Sequence, residues 1–327
     1  MDSKVTIVRY DPTLKQTWDE FVRESKNGNF LFYRDYMDYH ADRFPDFSLL
    51  GFDEEGTLIG VLPATLQGTC LSSHAGLTYG GVICGPAMKA GLILQFFDAM
   101  TCFLRSQQVE TLYYKTIPHI FHRIPSEEDL YALFRHGATL VRRDQSCAIL
   151  LRDRLPFSKG RRYAIKQAQK NELAVERSYD FESFMQLKAT TLDEKYGVKP
   201  THTAAEICLL AEHFPNNIKL FVSHYLNELA AGVVVYEHPS VVHAQYIAAS
   251  ETGKRIGALD LILNSLIETY SDSKTYFDFG ISTEDGGHYL NEGLVKNKEG
   301  FGARTFVHDF YELDLSRLNS PQRYRGR

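Results

Sequence analysis

The hydrophobic positions of the first 151 residues recur with two different periods, about 3.6 and about 2 residues, which predicts a mixture of helices and strands. Apolar runs at 47–52 and 58–66 flank the turn residues DEEG and predict a hairpin. The other predicted elements of this half are helices at 13–24, 91–107 and 125–136, and strands at 109–115 and 145–151.

The pattern resumes in the second half of the chain. The predicted elements there are helices at 180–191, 203–212 and 257–270, strands at 218–225, 228–237, 241–249 and 275–279, and a loop at 250–256. EEGTLIGVLPATL in the first half and LNELAAGVVVYEH in the second each begin a hairpin that leads into a loop and a helix. This echo favours a duplicated architecture, and chance similarity between two mixed α/β domains is the alternative.

Length and a change of composition predict two domains. A chain of 327 residues exceeds the size of most single cores, at about 100–200 residues per domain. The strongly basic stretch RDRLPFSKGRRYAIKQAQK begins at residue 152, so we predict domains at 1–151 and 152–327. The strand-like segment FVHDFYELDL near the end either stays with the second domain or pairs back onto the first.

Composition and charge exclude several classes of protein. Apolar residues make up 44% and charged residues 24% of the chain, and no run approaches the roughly 18 apolar residues of a membrane span. The N-terminus has no apolar signal-peptide core, so we expect a cytoplasmic protein. Five scattered cysteines form no metal-binding spacing and predict reduced thiols without disulfides or metal. A net charge of −5 makes an RNA-binding module the least favoured class.

Two basic segments are candidates for binding phosphate groups. Lys159, Arg162, Lys166 and Lys170 fall on one face of a helix, either as a solvated surface or as a site for a phosphorylated substrate. The turn ETGKRIG enters a helix, and Lys254 and Arg255 lie where backbone N–H groups and the helix dipole favour an anion. An ordinary strand-to-helix loop is the alternative for this turn.

The stretch FDFGISTEDGGHYLNEGLVKNKEGFGAR, residues 277–304, concentrates glycines with ionisable side chains. Asp278 and Asp285 are candidate bases or anchors of the loop, and His288 is a candidate proton carrier or packing residue. Lys298 and Arg304 are candidates for stabilising an oxyanion or a phosphate, or for surface roles. Nothing here has the pattern of a nucleophile elbow, a Walker loop or a metal site, so covalent catalysis has no support.

Three segments together resemble the Fem-like branch of the GNAT acyltransferase superfamily: SKGRRYAIKQAQKNELAVE, the region from ELAAGVVVYEH to GKRIGALDLILNSLIE, and the stretch 277–304. The most specific is GLVKNKEGFGAR, which is similar to the G-L-x-x-F-K-x-G-F-G signature of Fem aminoacyl transferases, with Asn297 in place of the aromatic residue. FLFYRDYM at 30–37 and GTLIGVLPA at 56–64 also resemble the N-terminal domain of that branch.

The resemblance implies an α/β (α+β) fold of two tandem GNAT-like domains, each a mixed, mostly antiparallel sheet flanked by helices. It places Lys298 at the signature lysine and implies substrate-binding roles for Tyr33 and Arg34. Lys199 falls near the position of an arginine that Fem enzymes place on the substrate diphosphate, and lysine offers only a point charge there. Lys254 and Gly257 partly match the acetyl-CoA loop of GNAT enzymes, with Leu259 as a departure.

The function that the resemblance implies is transfer of an acyl or aminoacyl group to an amine of a cell-envelope or polysaccharide precursor. The donor is acyl-CoA or aminoacyl-tRNA, and acyl-CoA is favoured because the charged helical arm of Fem enzymes has no counterpart between 171 and 250. The amine would attack the donor carbonyl directly. The alternative is a non-catalytic GNAT-scaffold protein that binds a phosphorylated ligand or a partner chain.

Overall fold

The computed structural model of the chain describes residues 5–196 and 201–317. Its strands are β1 (Thr6–Arg9), β2 (Leu49–Phe52), β3 (Leu58–Leu62), β4 (Thr65–Gln67), β5 (Cys70–Ser72), β6 (Ile83–Cys84), β7 (Thr111–Lys115), β8 (Thr139–Leu150), β9 (Glu176–Ser178), β10 (Ile218–Tyr225), β11 (Glu228–Glu237), β12 (Val241–Ala249), β13 (Tyr276–Ile281), β14 (Thr283–Glu284), β15 (Tyr289–Leu290) and β16 (Arg304–Asp314). Its helices are α1 (Lys15–Glu24), α2 (Arg34–Met37), α3 (Ala90–Ser106), α4 (Glu128–Arg135), α5 (Lys159–Lys170), α6 (Phe181–Tyr196), α7 (Ala204–His213), α8 (Glu251–Ile256), α9 (Ala258–Thr269) and α10 (Glu292–Glu299).

The chain divides into two compact units. Unit 1 contains the described residues up to Arg143 and from Val307 onward, and unit 2 contains Asp144–Phe306. The boundaries therefore fall within β8 and β16.

Unit 1 combines antiparallel strands with one parallel pair. β1, β2, β3 and β6 form a four-stranded antiparallel sheet, while β5 pairs with β7 in parallel and β7 pairs with β16 in antiparallel orientation. Helix α3 lies on the core with Phe96 and Phe97 fully buried. Trp18 of α1 is also fully buried, and its indole N–H donates to the carbonyl oxygen of Phe32 over 2.8 Å. This bond satisfies a donor that burial would otherwise leave unpaired.

Unit 2 is a six-stranded arrangement in the order β8-β13-β12-β11-β10-β9. Every neighbouring pair is antiparallel except β12 and β13, which run parallel and are joined by α8 and α9. The apolar side of α9, including Ile262, Leu263 and Leu266, is buried against the sheet. Helix α5 covers α9 from outside, with Ile165 and Ala168 in contact with Leu261. The predicted mixed, mostly antiparallel α/β architecture is confirmed.

Two predicted boundaries were wrong, and each error has a local cause. Residues 250–256 are not a loop: Ser250 accepts a hydrogen bond from the Gly253 N–H over 3.0 Å and so begins helix α8. Strand β8 begins at Thr139, well before the predicted residue 145. The prediction missed its first half because charged residues there interrupt the apolar pattern. There Arg143 forms a two-bond ion pair with Asp309 at 2.6 and 2.8 Å.

Candidate active site

The parallel strands β12 and β13 are paired over only three residues each. In the described register Val241–His243 pair with Tyr276–Asp278, and the pairing of the two strands ends there. The rest of β12 continues to pair with β11, whereas β13 pairs with β8 on its other side. The two strands therefore part after His243 and Asp278 and leave an opening at their carboxyl ends. We call this opening, which has His243, Asp278 and Gly280 at its base, the fork.

A histidine and a carboxylate face each other across the fork. His243 Nδ1 lies 2.6 Å from Asp278 Oδ2, and the Asp278 side chain is 1% exposed. The other carboxylate oxygen accepts from the Ser146 hydroxyl at 3.3 Å and from the Gly280 N–H at 2.9 Å. These donors stabilise the buried negative charge, since an unpaired carboxylate in the interior would be strongly disfavoured.

The backbone at Gly280 creates the geometry of the fork. The register of β13 against β8 shifts between Asp278 and Ile281, which marks a bulge. Gly280 lies in the left-handed region with φ of +76°, and a Cβ there would stand 3.2 Å from His243 Cε1. A side chain at this position would be strained and would cover the edge of the imidazole ring. Glycine therefore leaves the His243 ring open at the fork.

Lys298 of α10 fixes the strand after the bulge. Its ammonium donates to the Gly280 carbonyl oxygen at 2.8 Å, the Ile281 carbonyl oxygen at 2.6 Å and the Ser282 hydroxyl at 2.9 Å. A lysine ammonium has three donors, so all of them are engaged within the chain. Burial lowers the pKa of Lys298 to about 8, while the nearby Cys147 and Asp278 act in the opposite direction. This arrangement suits a residue that shapes the site and adds positive charge to it.

The predicted anion-binding turn is a short helix followed by a left-handed glycine. Lys254 and Arg255 are both exposed in the last turn of α8, and Lys254 pairs with Glu251 at 2.5 Å. The N–H groups of Gly253 and Lys254 bond to Ser250 and are thus engaged. Gly257 has φ of +79° and supplies no capping side chain to α9, so the dipole of that twelve-residue helix begins without a side-chain acceptor.

Gly257 also has a packing function. A Cβ at this position would lie 2.2 Å from the carbonyl oxygen of Ala164 on α5, which is shorter than any real contact. The glycine therefore permits α5 to pass directly over the junction of α8 and α9. The predicted cofactor-binding role of Lys254, Arg255 and Gly257 stays a prediction.

Helix α5 carries the predicted basic stripe. Arg162 and Lys166 are exposed, as are Lys159 and Lys170, and the described residues offer these four side chains no acidic partner. Arg161 points the other way: it pairs with Asp260 of α9 at 2.8 Å and stands over the Phe301 ring at 4.7 Å. Arg161 thus joins α5 to α9 and to Phe301, whereas the adjacent Arg162 faces solvent.

The remaining predicted residues of unit 2 are exposed. Asp285 and His288 lie in the turn between β14 and β15, where the His288 N–H donates to the Asp285 carbonyl oxygen at 3.1 Å. Arg304 donates to the adjacent Ala303 carbonyl oxygen at 2.7 Å. Within the described residues, no hydrogen bond or ion pair joins the side chains of Asp285, His288 and Arg304 to the fork. Among the predicted catalytic residues, the structure brings together Asp278 and Lys298.

Two predicted substrate-binding residues belong to unit 1. Tyr33 is half-buried, and burial raises its pKa. Arg34 is buried and bonds to Asp38 at 2.5 Å and to Asp46 at 2.9 Å, with its guanidinium 3.8 Å from the centre of the Tyr10 ring. Its donors are directed at groups within unit 1. Lys199 lies outside the described residues.

The sequence reasoning missed His243, which the structure places next to Asp278. A signal existed, since His243 is a polar residue inside the apolar strand VVHAQYIAA. Recognising it required the register of β12 against β13, which pairs His243 directly with Asp278. Local sequence does not determine the register of two strands separated by two helices.

Within 5–196 and 201–317, His, Cys, Asp and Glu side chains form no group of three or more that could hold a metal ion. None of the described helices combines the length and apolar character needed to cross a membrane.

Comparisons with known proteins agree with the architecture. Residues 157–289 match the sequence profile of the acetyltransferase (GNAT) domain. The structure is similar to FemX, with a TM-score of 0.66 and 12% identity over 94% of this chain and 97% of FemX. It is also similar to the L-PGS of Bacillus licheniformis, with a TM-score of 0.61 and 12% identity over 94% of this chain and 93% of that one. No curated protein sequence matches the chain.

A third similar structure is the C-terminal domain of a putative lysylphosphatidylglycerol synthetase from Agrobacterium fabrum, with a TM-score of 0.60 and 11% identity over 93% of both chains. At these identities the likeness establishes the fold. The fold expected from the sequence resemblance is thereby confirmed: the chain folds like FemX, and residues 157–289 match an acetyltransferase (GNAT) domain.

Proposed function

We propose that the protein is an N-acyltransferase that transfers an acyl group to an amine at the fork. The observation that carries the proposal is the parting of β12 and β13 directly beyond the hydrogen-bonded pair His243 and Asp278, within the segment that matches a GNAT domain. The opening gives a thioester or ester a place to lie between two strands. The polar groups at its base supply charge in an otherwise apolar setting.

The reaction is direct attack of the amine nitrogen on the donor carbonyl carbon. A carbon–nitrogen bond forms, the carbon–sulfur or carbon–oxygen bond of the donor breaks, and the leaving group departs with a proton. Asp278 holds the polar groups of the fork in place. Lys298 fixes the bulge and adds positive charge near the developing oxyanion.

The proposed donor is an acyl-CoA. Lys254 and Arg255 stand exposed beside the N-terminus of α9, and together they can bind the diphosphate and the terminal phosphate of CoA. GNAT enzymes in general use acyl-CoA, and the match at 157–289 supports that donor. An aminoacyl-tRNA is the second donor to test, because the name lysylphosphatidylglycerol synthetase denotes the making of an aminoacyl product.

The proposed acceptor is an amine on a cell-envelope or polysaccharide precursor. The exposed stripe with Arg162 and Lys166 suits a phosphorylated carrier, and the exposed His288 and Arg304 offer further polar contacts. Asp285, also exposed, can orient an ammonium group on the acceptor. We assign Lys199 and Tyr33 to substrate binding on the resemblance to Fem enzymes alone. The buried Arg34, which bonds to Asp38 and Asp46, is assigned a structural role instead.

Calorimetric titration with acetyl-CoA tests the donor assignment. We expect saturable binding by the wild type and at least tenfold weaker binding by Lys254→Ala/Arg255→Ala, since each charged hydrogen bond contributes about 1.5–3 kcal/mol. The matched control is Lys89→Ala/Arg105→Ala, which removes the same charge from exposed positions at α3 in unit 1. Equal affinity of the two double variants would contradict the assignment.

One observation favours a second candidate function, a GNAT-scaffold protein that binds a phosphorylated ligand without turnover. The three donors of the Lys298 ammonium are all engaged within the chain, which leaves none to donate to a developing oxyanion. The exposed Lys254 and Arg255 would still bind a phosphate. Under this function the protein would bind acetyl-CoA but form no amide with any amine in a broad panel. Amide formation with one amine would exclude it.

A further inference from the structure

We propose that His243 is the catalytic base of this transferase and that Asp278 is its positioning residue. The inference rests on the proposed function and adds the group that accepts the proton from the attacking amine. It is carried by the 2.6 Å contact between His243 Nδ1 and Asp278 Oδ2 and by the open ring edge over Gly280.

The carboxylate determines which ring nitrogen carries the proton. An ionised carboxylate only accepts hydrogen bonds, so His243 Nδ1 must be the protonated nitrogen at 2.6 Å from Asp278. Nε2 of the neutral ring then has its lone pair free to accept a proton. The same pairing stabilises the imidazolium that forms when Nε2 takes that proton, which is the role of the aspartate in histidine–aspartate pairs generally.

His243 and Asp278 differ in how accessible their side chains are to an incoming amine. Asp278 is fully buried, and its two oxygens already accept bonds from His243, Ser146 and Gly280. The His243 side chain is 16% exposed, and its Nε2 lies 4.0 Å from where a Cβ of residue 280 would be. Only His243 of this pair can therefore reach an amine that enters the opening between β12 and β13.

The surroundings of His243 include other titratable groups, from each neighbouring element. His238, in the turn before β12, is buried, and burial holds its pKa well below the usual range, so it stays neutral near His243. Lys298 of α10 interacts with Asp278 and Lys188 of α6 donates to Ile247 at 3.1 Å. Asp278 is thus the charged partner in direct contact with the His243 ring.

The proton balance of the step is complete within these groups. The neutral amine nitrogen forms a bond to the carbonyl carbon while Nε2 of His243 takes one of its protons. The carbon–sulfur bond of the acyl-CoA then breaks with its electron pair on sulfur, and the imidazolium gives its proton to the thiolate, directly or through solvent. An amide and a thiol result, and His243 returns to its neutral form.

The test is His243→Asn, because the asparagine amide can keep a hydrogen bond to Asp278 but cannot accept the proton. With an amine that the wild type acylates, we expect kcat to fall about 10²–10⁴-fold with acetyl-CoA affinity unchanged. The lower limb of the wild-type pH profile should disappear, and added imidazole should restore part of the rate. His224→Asn, an exposed histidine of β10 in unit 2, is the matched control.

The outcomes separate the two proposals. Wild-type turnover with less than a threefold loss in His243→Asn, and the same pH limb, would overturn the base while leaving the transferase intact. Absence of wild-type turnover with every amine and donor would overturn both. A nitrogen-15 NMR measurement gives a second readout without turnover: Nδ1 must be protonated and Nε2 bare at high pH, and Asp278→Asn must weaken that preference. The opposite tautomer in the wild type would contradict the proposal.

Discussion

Lys298 Nζ lies 2.8 Å from the carbonyl oxygen of Gly280, so helix α10 is tied to the bulge that shapes the fork. The bond joins the signature lysine of the resemblance to the backbone beside the buried carboxylate. Lys298 therefore affects the site by holding the backbone at Gly280 in place as well as by its positive charge. The consequences of removing it can be measured in stability and in turnover.

Lys298→Met should make stability depend on pH in a defined way. Burial lowers the pKa of Lys298 to about 8, below the value of 10.5 for an ordinary lysine. Between these values the unfolded chain holds more protons than the folded one, so the contribution of Lys298 to the unfolding free energy rises with pH. The unfolding free energy of the wild type minus that of Lys298→Met should therefore grow by about 1–3 kcal/mol from pH 8 to 10.5.

Urea denaturation at several pH values measures this difference. Lys170→Met, at an exposed position on α5, is the control and should show no such trend. If the difference in unfolding free energy between the wild type and Lys298→Met stays constant with pH, that result would contradict a buried Lys298 with a lowered pKa.

The sequence predicted most elements because their signals are local. Strands β10, β11 and β12 have the predicted bounds. Helix α5 exposes the four residues of the predicted basic stripe, Lys159, Arg162, Lys166 and Lys170. The charged start of β8 and the short helix after Ser250 escaped because tertiary contacts and one cap determine them. At the candidate site, the composition of 277–304 and the resemblance made Asp278 and Lys298 candidates, and their roles stay predictions. The position of His243 depends on strand register, which long-range packing sets.

Gly257→Ala should destabilise unit 2 more than its backbone conformation alone explains. Gly257 and Gly56 have nearly equal φ angles of +79° and +78°, so alanine is strained by about 1 kcal/mol at either site. At 257 the new Cβ would also meet the Ala164 carbonyl oxygen at 2.2 Å, whereas nothing lies within 4 Å at 56. We expect an additional loss of about 2 kcal/mol in thermal or urea unfolding of Gly257→Ala. Equal losses would contradict the close packing of α5.

Arg34→Met should separate a structural role from a substrate-binding role. Removing the guanidinium leaves the carboxylates of Asp38 and Asp46 without their shared partner and deletes the stacking on Tyr10. We expect a loss of about 3 kcal/mol in the free energy of unfolding. At a temperature where Arg34→Met is fully folded, KM for the acceptor should match the wild type. A raised KM there would instead support substrate binding, as the resemblance implies.

Asp129→Asn should remove a pH dependence from unit 1. Burial raises the pKa of Asp129 to about 6, and the Tyr114 hydroxyl donates to its Oδ2 at 2.7 Å. Between about pH 4 and 6 the folded chain holds the extra proton, so the contribution of Asp129 to the unfolding free energy falls as pH rises. The unfolding free energy of the wild type minus that of Asp129→Asn should drop by up to about 3 kcal/mol over that range. The exposed control Asp42→Asn should show no such drop.

The most direct test of the account is amine-dependent acyl transfer from acetyl-CoA, followed by free thiol release and by mass spectrometry of the acceptor. The wild type should release one thiol per amide formed and none without an amine. Gly280→Leu, which places a side chain against the His243 ring, should still bind acetyl-CoA but lose turnover. Thiol release without an amine, or full turnover in Gly280→Leu, would contradict acyl transfer at the fork.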